Sequence, residues 1–514
     1  MSLDRRQFCG ASFATLVASG FAAPALADQA AVKARLRIVP DEELHRLPAS
    51  YAGFSIELST LEDPTIYTGT NRGLIDLFRC LSHDGILRIG GNSSEFCWWK
   101  PADDRQPPKL AAAGIGQADN WMPQSLHAIT PPAIRNLRTF LDATGWTCIY
   151  GLNLGTGAPP IDAEEAAFVA GALGPKLRYF QIGNEPDFYR EGNNRLRPSN
   201  WGFDDYLREW VAIADAISAR VPQARFGGPD VGSSADWVVR FARQAKPAMG
   251  DRLVELSGHY YAEGPPDSAD ANIANLLKTD PKIAERMAAI MPVARKAGLA
   301  FRMSETNSCF RGGKAGMSDA LAAALWGMDY MLELGSRGCS GINFHGGAGN
   351  VISAVLGGRM PGARNASDLA KAQLGSFYSP VAGNRTVGYR ARPLLYGMMA
   401  AEQFAGASLQ RTVLDTGGVN LTAYAGSGPN GKRIAIINKD LTKDALVDLT
   451  SVPDFARAAL WRLAGPSPSS TLGVTLGDEE VSPSRSLWAP RANTSSLDKP
   501  LLVPRASAAL LLQA

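Results

Sequence analysis

The sequence predicts a (β/α)8 barrel followed by an antiparallel β-sandwich, and three observations carry that prediction. Eight short apolar runs alternate with helix-like stretches over about 350 residues, the signature of a parallel barrel. The polar residues of these runs fall at their C-terminal ends, the ends that form the mouth of such a barrel. Beyond residue 405 the pattern changes to short alternating runs broken by Gly, Pro, Asn and Asp, as in antiparallel sheets.

The eight runs are AGFSIEL (52–58), GILRIGG (85–91), TCIYGLNLG (147–155), LRYFQIGNEP (177–186), ARFGGPDVG (224–232), LVELSGHYY (253–261), LAFRMSETN (299–307) and SGINFHGG (340–347). Between them stand NRGLIDLFRCLS, PPAIRNLRTFLDAT, DAEEAAFVAGAL, FDDYLREWVAIADAISARV and SDALAAALWGMDYMLELG, several opening on Asp, Ser or Pro and ending near Gly, as helices do. The runs LQRTVLD, VNLTAYAG, KRIAIINKD, DALVDLTS, ARAALWRLAG and PLLVPRASAALLLQA build the C-terminal domain, and VKARLRIVP (32–40) precedes the barrel as a strand expected to join it. The expected organisation is therefore a leader over 1–27, an N-terminal strand within 28–40, a catalytic barrel over 41–404 and a sandwich over 405–514. The segments 101–125 and 348–390, rich in Gly, Pro and Asn, read as long loops that shape the cleft.

The leader reads MSLDRRQFCGASFATLVASGFAAPALA. Twin arginines, Arg5 and Arg6, precede an apolar Gly- and Ala-rich run that closes on Ala25-Leu26-Ala27. This is the pattern of a twin-arginine export signal, so a periplasmic or secreted product is expected. No later apolar stretch is long enough to span a membrane. The whole chain carries 52 basic and 49 acidic side chains, for a formal charge of +3, and removing the leader lowers this to +2. A balance so close to neutral gives no electrostatic footing for nucleic acid or an anionic membrane. Five cysteines follow the leader, an odd number at wide spacings that implies neither a disulfide framework nor a zinc ribbon.

Two carboxylates end strands of the same predicted barrel: Glu185 on the fourth and Glu305 on the seventh. Across one barrel mouth, a protonated and an ionised carboxyl divide the work of glycoside hydrolysis between an acid and a nucleophile or base. Asn184 offers an amide donor to a sugar hydroxyl, and Pro186 is expected to hold Glu185 in an extended conformation. Arg88, ending LRIGG, is placed to keep the nucleophile ionised, and Tyr260, ending the sixth run, to donate a hydrogen bond to it. His259 is expected on the opposite side of its strand, in core packing or behind a catalytic group. The five histidines (45, 83, 127, 259 and 345) show no metal-binding spacing, so no metal is expected. GGKAGMS (312–318) lacks the spacing of a phosphate loop and no dinucleotide fingerprint is present, so no cofactor is expected.

With those residues in view, the chain resembles glycoside hydrolase family 79, which includes heparanases and β-glucuronidases. The resemblance runs through GFSIEL, LRIGGNSSEF, FQIGNEPDFY, SGHYY, FRMSETNS and the C-terminal β domain. It implies a TIM barrel, a retaining mechanism, Glu185 as acid/base and Glu305 as nucleophile, with Glu57 and Asn92 binding sugar hydroxyls. In the family a Tyr-Gly-Gly-like run after the nucleophile holds the uronic-acid carboxylate. Here it reads Phe310-Arg311-Gly312-Gly313, without the phenol and with Arg311 at the first glycine. Either Arg311 clamps the carboxylate or the pocket takes another sugar, as a β-glucosidase or β-galactosidase would. The expected activity is that of an exo-acting retaining β-glycosidase, foremost a β-glucuronidase, on a carbohydrate substrate. A carbohydrate-binding barrel without catalysis is the alternative of a different class.

Overall fold

The computed structural model describes residues 30–108, 126–190, 196–429, 431–452, 457–481, 488, 490, 493–496 and 499–513. The leader over 1–27 and most of the 101–125 loop lie outside the described residues. All eight expected strands form one closed parallel barrel: β1 (Ala52–Glu57), β2 (Ile86–Gly90), β3 (Thr147–Leu152), β4 (Leu177–Ile182), β5 (Phe226–Val231), β6 (Leu253–Glu263), β7 (Ala300–Cys309) and β8 (Gly341–Gly346). β8 pairs with β1 from Ile342↔Ala52 to Gly346↔Ile56, which closes the ring. The strands read as near-continuous apolar runs because a parallel barrel buries both of their faces. The five helical stretches named from the sequence all form helices, such as Pro131–Thr144 with proline in its first turn and Gly145 at a left-handed C-cap.

Ten further strands make one sheet, and two short pairs stand apart from it, Cys97–Trp99 with His127–Ile129 and Val381–Asn384 with Gly388–Ala391. The path of the sheet runs Thr475–Leu476, Arg457–Ala464, Ser507–Leu512, Gly431–Asn438, Leu421–Gly428, Ser408–Asp415, Val32–Arg46, Ala445–Asp448 and Leu501–Val503, with Asn493–Ser496 beside Arg457–Ala464. Val32–Arg46 pairs antiparallel with Ser408–Asp415 and parallel with Ala445–Asp448. Where the sequence suggests two stacked sheets, the hydrogen bonds trace a single curled one. Val447 and Leu460, from strands far apart on the path, meet with Leu36, Ile434, Ile436 and Leu511 in one core. The alternate residues Ala435, Ile437, Ala508 and Leu510 face the larger core shared with the barrel, as period-2 alternation requires.

A joint of polar groups fixes the sheet to the barrel. Asp329, on the buried helix Leu321–Ser336, accepts from Lys439 Nζ at 2.6 Å, Thr422 Oγ1 at 2.6 Å and Tyr424 Oη at 2.8 Å, so its charge is paired rather than stranded. No helix among the described residues is long and apolar enough to cross a membrane.

Candidate active site

The C-terminal ends of the barrel strands surround a cavity of about 890 Å³, with both predicted carboxylates in its wall. Glu305 projects inward because β7 carries an irregularity there. Its pairing with β6 slips between Met303↔Gly258 and Glu305↔His259, so one extra residue re-aims the side chains beyond it. Glu185 lies past the end of β4, which stops at Ile182. Gly183 and Glu185 both take left-handed backbone, with φ of 83° and 49°. The extended conformation expected before Pro186 is therefore absent. The Glu185 amide donates to Asp230 O at 2.9 Å and its carbonyl accepts from the Phe188 amide at 2.9 Å. Those bonds hold a strained turn that presents the carboxyl to the cavity. Glu95 supports the same turn from below, accepting from the Asn184 amide at 2.6 Å and from the Gly155 amide.

A carboxylate oxygen of Glu185, a ring nitrogen of His259 and a carboxylate oxygen of Glu305 lie within 4.8 Å of one another. His259 Nδ1 is 3.0 Å from Glu185 Oε1 and 4.0 Å from Glu305 Oε1, and Nε2 is 3.1 Å from Asp230 Oδ1, in ion-pair range though out of line for a hydrogen bond. Burial opposes a charge on His259, but Asp230 and Glu305 outweigh it and push its pKa up to about 10. Both ring nitrogens of His259 therefore face carboxylates, Nδ1 towards Glu185 and Nε2 towards Asp230.

Arg88, 1% exposed, binds the whole arrangement together. Its Nη1 donates to Glu305 Oε2 at 2.6 Å and Ser55 Oγ at 3.1 Å, its Nη2 to Asn184 Oδ1 at 2.7 Å and to Asp230, and its Nε to Gln181 Oε1 at 3.1 Å. This is the position the sequence proposes for it, with more partners. Burial works against ionisation of Glu305; His345, His259, Arg88 and the Tyr261 hydroxyl overcome it and bring its pKa down to about 2. Glu185 moves the other way. Burial raises its pKa, the hydrogen bond and charge of His259 offset part of this, and Glu305 and Asp187 add to the rise. The same surroundings thus push the two neighbouring carboxyls in opposite directions, Glu305 towards the ionised form and Glu185 towards the protonated one.

The sixth strand needs a correction. His259 and Tyr261 point into the barrel and Tyr260 points out, the reverse of the expected phase. Tyr261 Oη donates to Glu305 Oε1 at 2.7 Å, whereas the Tyr260 hydroxyl donates to Asp280. Tyr260 still borders the cavity. Glu57 and Asn92 line it too. Glu57 Oε2 accepts from the Ser93 amide at 2.8 Å and Ser93 Oγ at 2.7 Å, and its Oε1 is 3.4 Å from His345 Nε2. A side chain at Gly91, where φ is 71°, would collide with that carboxylate. Asn184 is 1% exposed and mostly engaged, its amide nitrogen reaching Asn92 Oδ1 at 3.0 Å. Phe310, Arg311 and Gly312 lie in the cavity wall. Gly313 is turned into the protein, where a side chain would meet Ser318 and the Tyr378 amide.

The sequence reading passes over Asp230, Tyr261, His345 and Tyr378. His345 Nδ1 is 2.9 Å from Ser55 Oγ and 3.5 Å from Glu305 Oε2, and Tyr378 borders the cavity beside it. The signals were there in part: Asp230 and His345 both sit at C-terminal strand ends, in PDVG and NFHGG.

No family model matches the chain. It is 24% identical over 439 residues to a β-glucuronidase of Aspergillus niger, covering 80% of this chain and 73% of that protein. It is also 24% identical over 418 residues to a β-glucuronidase of Neurospora crassa, covering 73% and 72%. Among solved structures it matches a 4-O-α-L-rhamnosyl-β-D-glucuronidase from Fusarium oxysporum with a TM-score of 0.70 and 18% identity, over 94% of this chain and 99% of that one. A GH51 arabinofuranosidase from Xanthomonas axonopodis pv. citri matches at a TM-score of 0.60 and 14% identity, over 93% and 99%. The fold is thus one that glycoside hydrolases share, and over most of its length the chain is similar to β-glucuronidases.

Proposed function

We propose that the chain is a retaining, exo-acting β-glycosidase that removes terminal β-D-glucuronosyl residues. The carrying observation is the approach of Glu185 and Glu305, whose carboxylate oxygens come within 4.8 Å. Retention needs carboxyl groups ~5–5.5 Å apart, while inversion needs ~6.5–9.5 Å to admit a water. Glu305, ionised, attacks the anomeric carbon as Glu185 gives its proton to the leaving oxygen, and the C–O bond breaks with its electron pair on that oxygen. Glu185, now ionised, takes a proton from water, whose oxygen displaces Glu305 from the sugar and returns both groups to their starting states. Glu57 and Asn92 meet hydroxyls of the sugar, the free amide hydrogen of Asn184 meets the hydroxyl nearest the anomeric carbon, and Arg311 with the Gly312 backbone takes the carboxylate.

A second reading keeps the mechanism and changes the sugar, because Phe310 brings no hydroxyl to the wall where the family has a phenol. The cavity's bounded volume of about 890 Å³ supports cleavage at a chain end. The near-neutral charge supports a carbohydrate partner over nucleic acid or membrane. The twin-arginine leader supports export to the periplasm or beyond, and the curled sheet over 405–514 is read as a sandwich-like domain beside the barrel of 41–404.

The test is hydrolysis of 4-nitrophenyl β-D-glucuronide against the glucoside, galactoside and xyloside, with the first-formed anomer followed by NMR. Preference for the glucuronide with the β-anomer released first is expected. Preference for a neutral sugar favours the second reading, an α-anomer refutes retention, and sugar binding without turnover leaves only a binding protein.

A further inference from the structure

Beyond Glu185 the cavity continues onto a wall that the chemistry at Glu305 does not use. Phe188, Ser233, Lys282, Glu285 and Arg286 border it, supplied by the turn after β4, the loop after β5 and the helix Pro281–Lys296. Because this wall adjoins the proton donor, it is the side on which a leaving group must sit. Gly232 keeps the passage open, since a side chain there would strike Phe188 and approach Glu185 Oε1 to 3.0 Å.

The wall is built rather than incidental. Asp280 caps the helix, accepting from the Lys282 amide at 3.0 Å and from the Tyr260 hydroxyl, and so ties the helix to β6. Asp187 accepts from the amides of Gly232, Ser233 and Ser234 at 2.8, 2.9 and 3.0 Å, which commits its charge to shaping the loop. That loop offers Ser233 O to Arg286 Nη1 at 2.8 Å. Arg286 Nε and Nη2 are buried and have no acceptor among the described residues. These two nitrogens form one edge of the guanidinium, a fork that matches both oxygens of a carboxylate. Leaving buried donors unmet is unfavourable, so an acceptor that draws the fork out is favoured twice. Lys282 lies one helical turn earlier on the same face, and the two cations outnumber Glu285.

We propose that this wall is a leaving-group subsite selecting aglycones that bear a carboxylate. Arg286 turns its unpaired edge into the cavity to take that group, Lys282 adds charge at the rim, and Phe188 lies along the ring of the aglycone. This deepens the β-glucuronidase reading and rests on it.

The experiment compares kcat/KM for 4-carboxyphenyl β-D-glucuronide and its methyl ester, whose aglycone is neutral, in the wild type, Arg286→Met, Arg286→Lys and Lys282→Met. The acid-to-ester ratio is expected to fall about 10-fold or more in Arg286→Met, and less in Arg286→Lys, which keeps the charge and loses the fork. A ratio that is the same in all four proteins overturns the proposal. Calorimetric binding of 4-hydroxybenzoate reads the wall without turnover. If neither glucuronide is cleaved, the β-glucuronidase reading fails by itself, while binding weakened in Arg286→Met supports the subsite and binding unaffected by that change, or absent from the wild type, overturns it.

Discussion

Replacing Tyr261 by Phe removes one hydroxyl and tests the polarity of the whole site. That hydroxyl donates to Glu305 Oε1 at 2.7 Å, while Arg88 holds Oε2 at 2.6 Å. A hydrogen bond to a charged group contributes about 1.5–3 kcal/mol. At ~1.4 kcal/mol per decade this corresponds to about a 10- to 100-fold change in rate. The loss falls mainly on release of the glycosyl-enzyme, when negative charge returns to Glu305 and the donor is missing. On a nitrophenyl substrate, where the first step is fast, kcat and KM therefore fall together and an initial burst grows. The pKa of Glu305, held at about 2, rises when a donor to its charged form is lost, so the acid limb of activity moves to higher pH. The same depressed pKa contributes stability at neutral pH that disappears as pH falls through the range between the ordinary value of 4.5 and about 2. In Tyr261→Phe that contribution shrinks. Tyr260→Phe breaks the bond to Asp280 instead, so it lowers thermal stability more than kcat. Steady-state and burst kinetics across pH, with thermal unfolding as the control, decide the matter. A larger loss of kcat in Tyr260→Phe than in Tyr261→Phe would refute the assignment.

Arg88→Met leaves Asp230 and Glu305 buried without their cation, and chemical denaturation should show a loss of about 3–5 kcal/mol; unchanged stability would mean the network is not held by charge. Gly232→Ala forces Phe188 or Glu185 to move, so kcat/KM should drop while the unfolding midpoint changes little, and full activity would show that the turn is compliant. Glu305→Gln keeps the side-chain shape and removes the nucleophile, so turnover should vanish from a protein that still unfolds cooperatively; activity near the wild-type level would assign attack to another group.

The barrel was legible because its strands, buried on both faces, leave uninterrupted apolar runs that end in Gly, Asn or a charge. Arg88, Glu185 and Glu305 were legible for a related reason: a charged side chain closing such a run has few places to go except the barrel mouth. The phase of β6 was not. In His259-Tyr260-Tyr261 every residue is polar at one end, so alternation alone cannot say which pair faces inward, and the register slip on β7 settles the facing pairs only in three dimensions. Asp230 ends a strand the sequence does show, but its partners Arg88, Gln181 and Ser304 come from three other strands, so its role appears only once the barrel is closed. The conformation of Glu185 was misread since the rule for residues before proline is local, whereas the bonds to Asp230 and Phe188 that fix the turn join separate elements. The curled sheet escaped for the same reason, since its path depends on Val32–Arg46 bridging Ser408–Asp415 and Ala445–Asp448.

Charge accounting explains why two similar carboxyls a few ångströms apart are shifted in opposite directions. The buried cations Arg88 and His259 face the buried anions Asp230 and Glu305, and these four neutralise one another. Asp230, with Arg88, His259 and Ser304 around it, is driven well below the ordinary carboxylate range despite its burial, so its negative charge is fixed. Its role is then to keep His259 cationic, and a cationic His259 both lowers the pKa of Glu305 and donates to Glu185 once Glu185 has lost its proton. A fifth charge has no counter-ion left, so burial raises the pKa of Glu185 and favours its protonated form. In the proposed mechanism Glu305 gives up its negative charge to the new bond as Glu185 acquires one, and the same two cations serve both states. The net charge of the buried network is therefore unchanged from the resting enzyme to the glycosyl-enzyme, and the site need not reorganise around a new charge at either step.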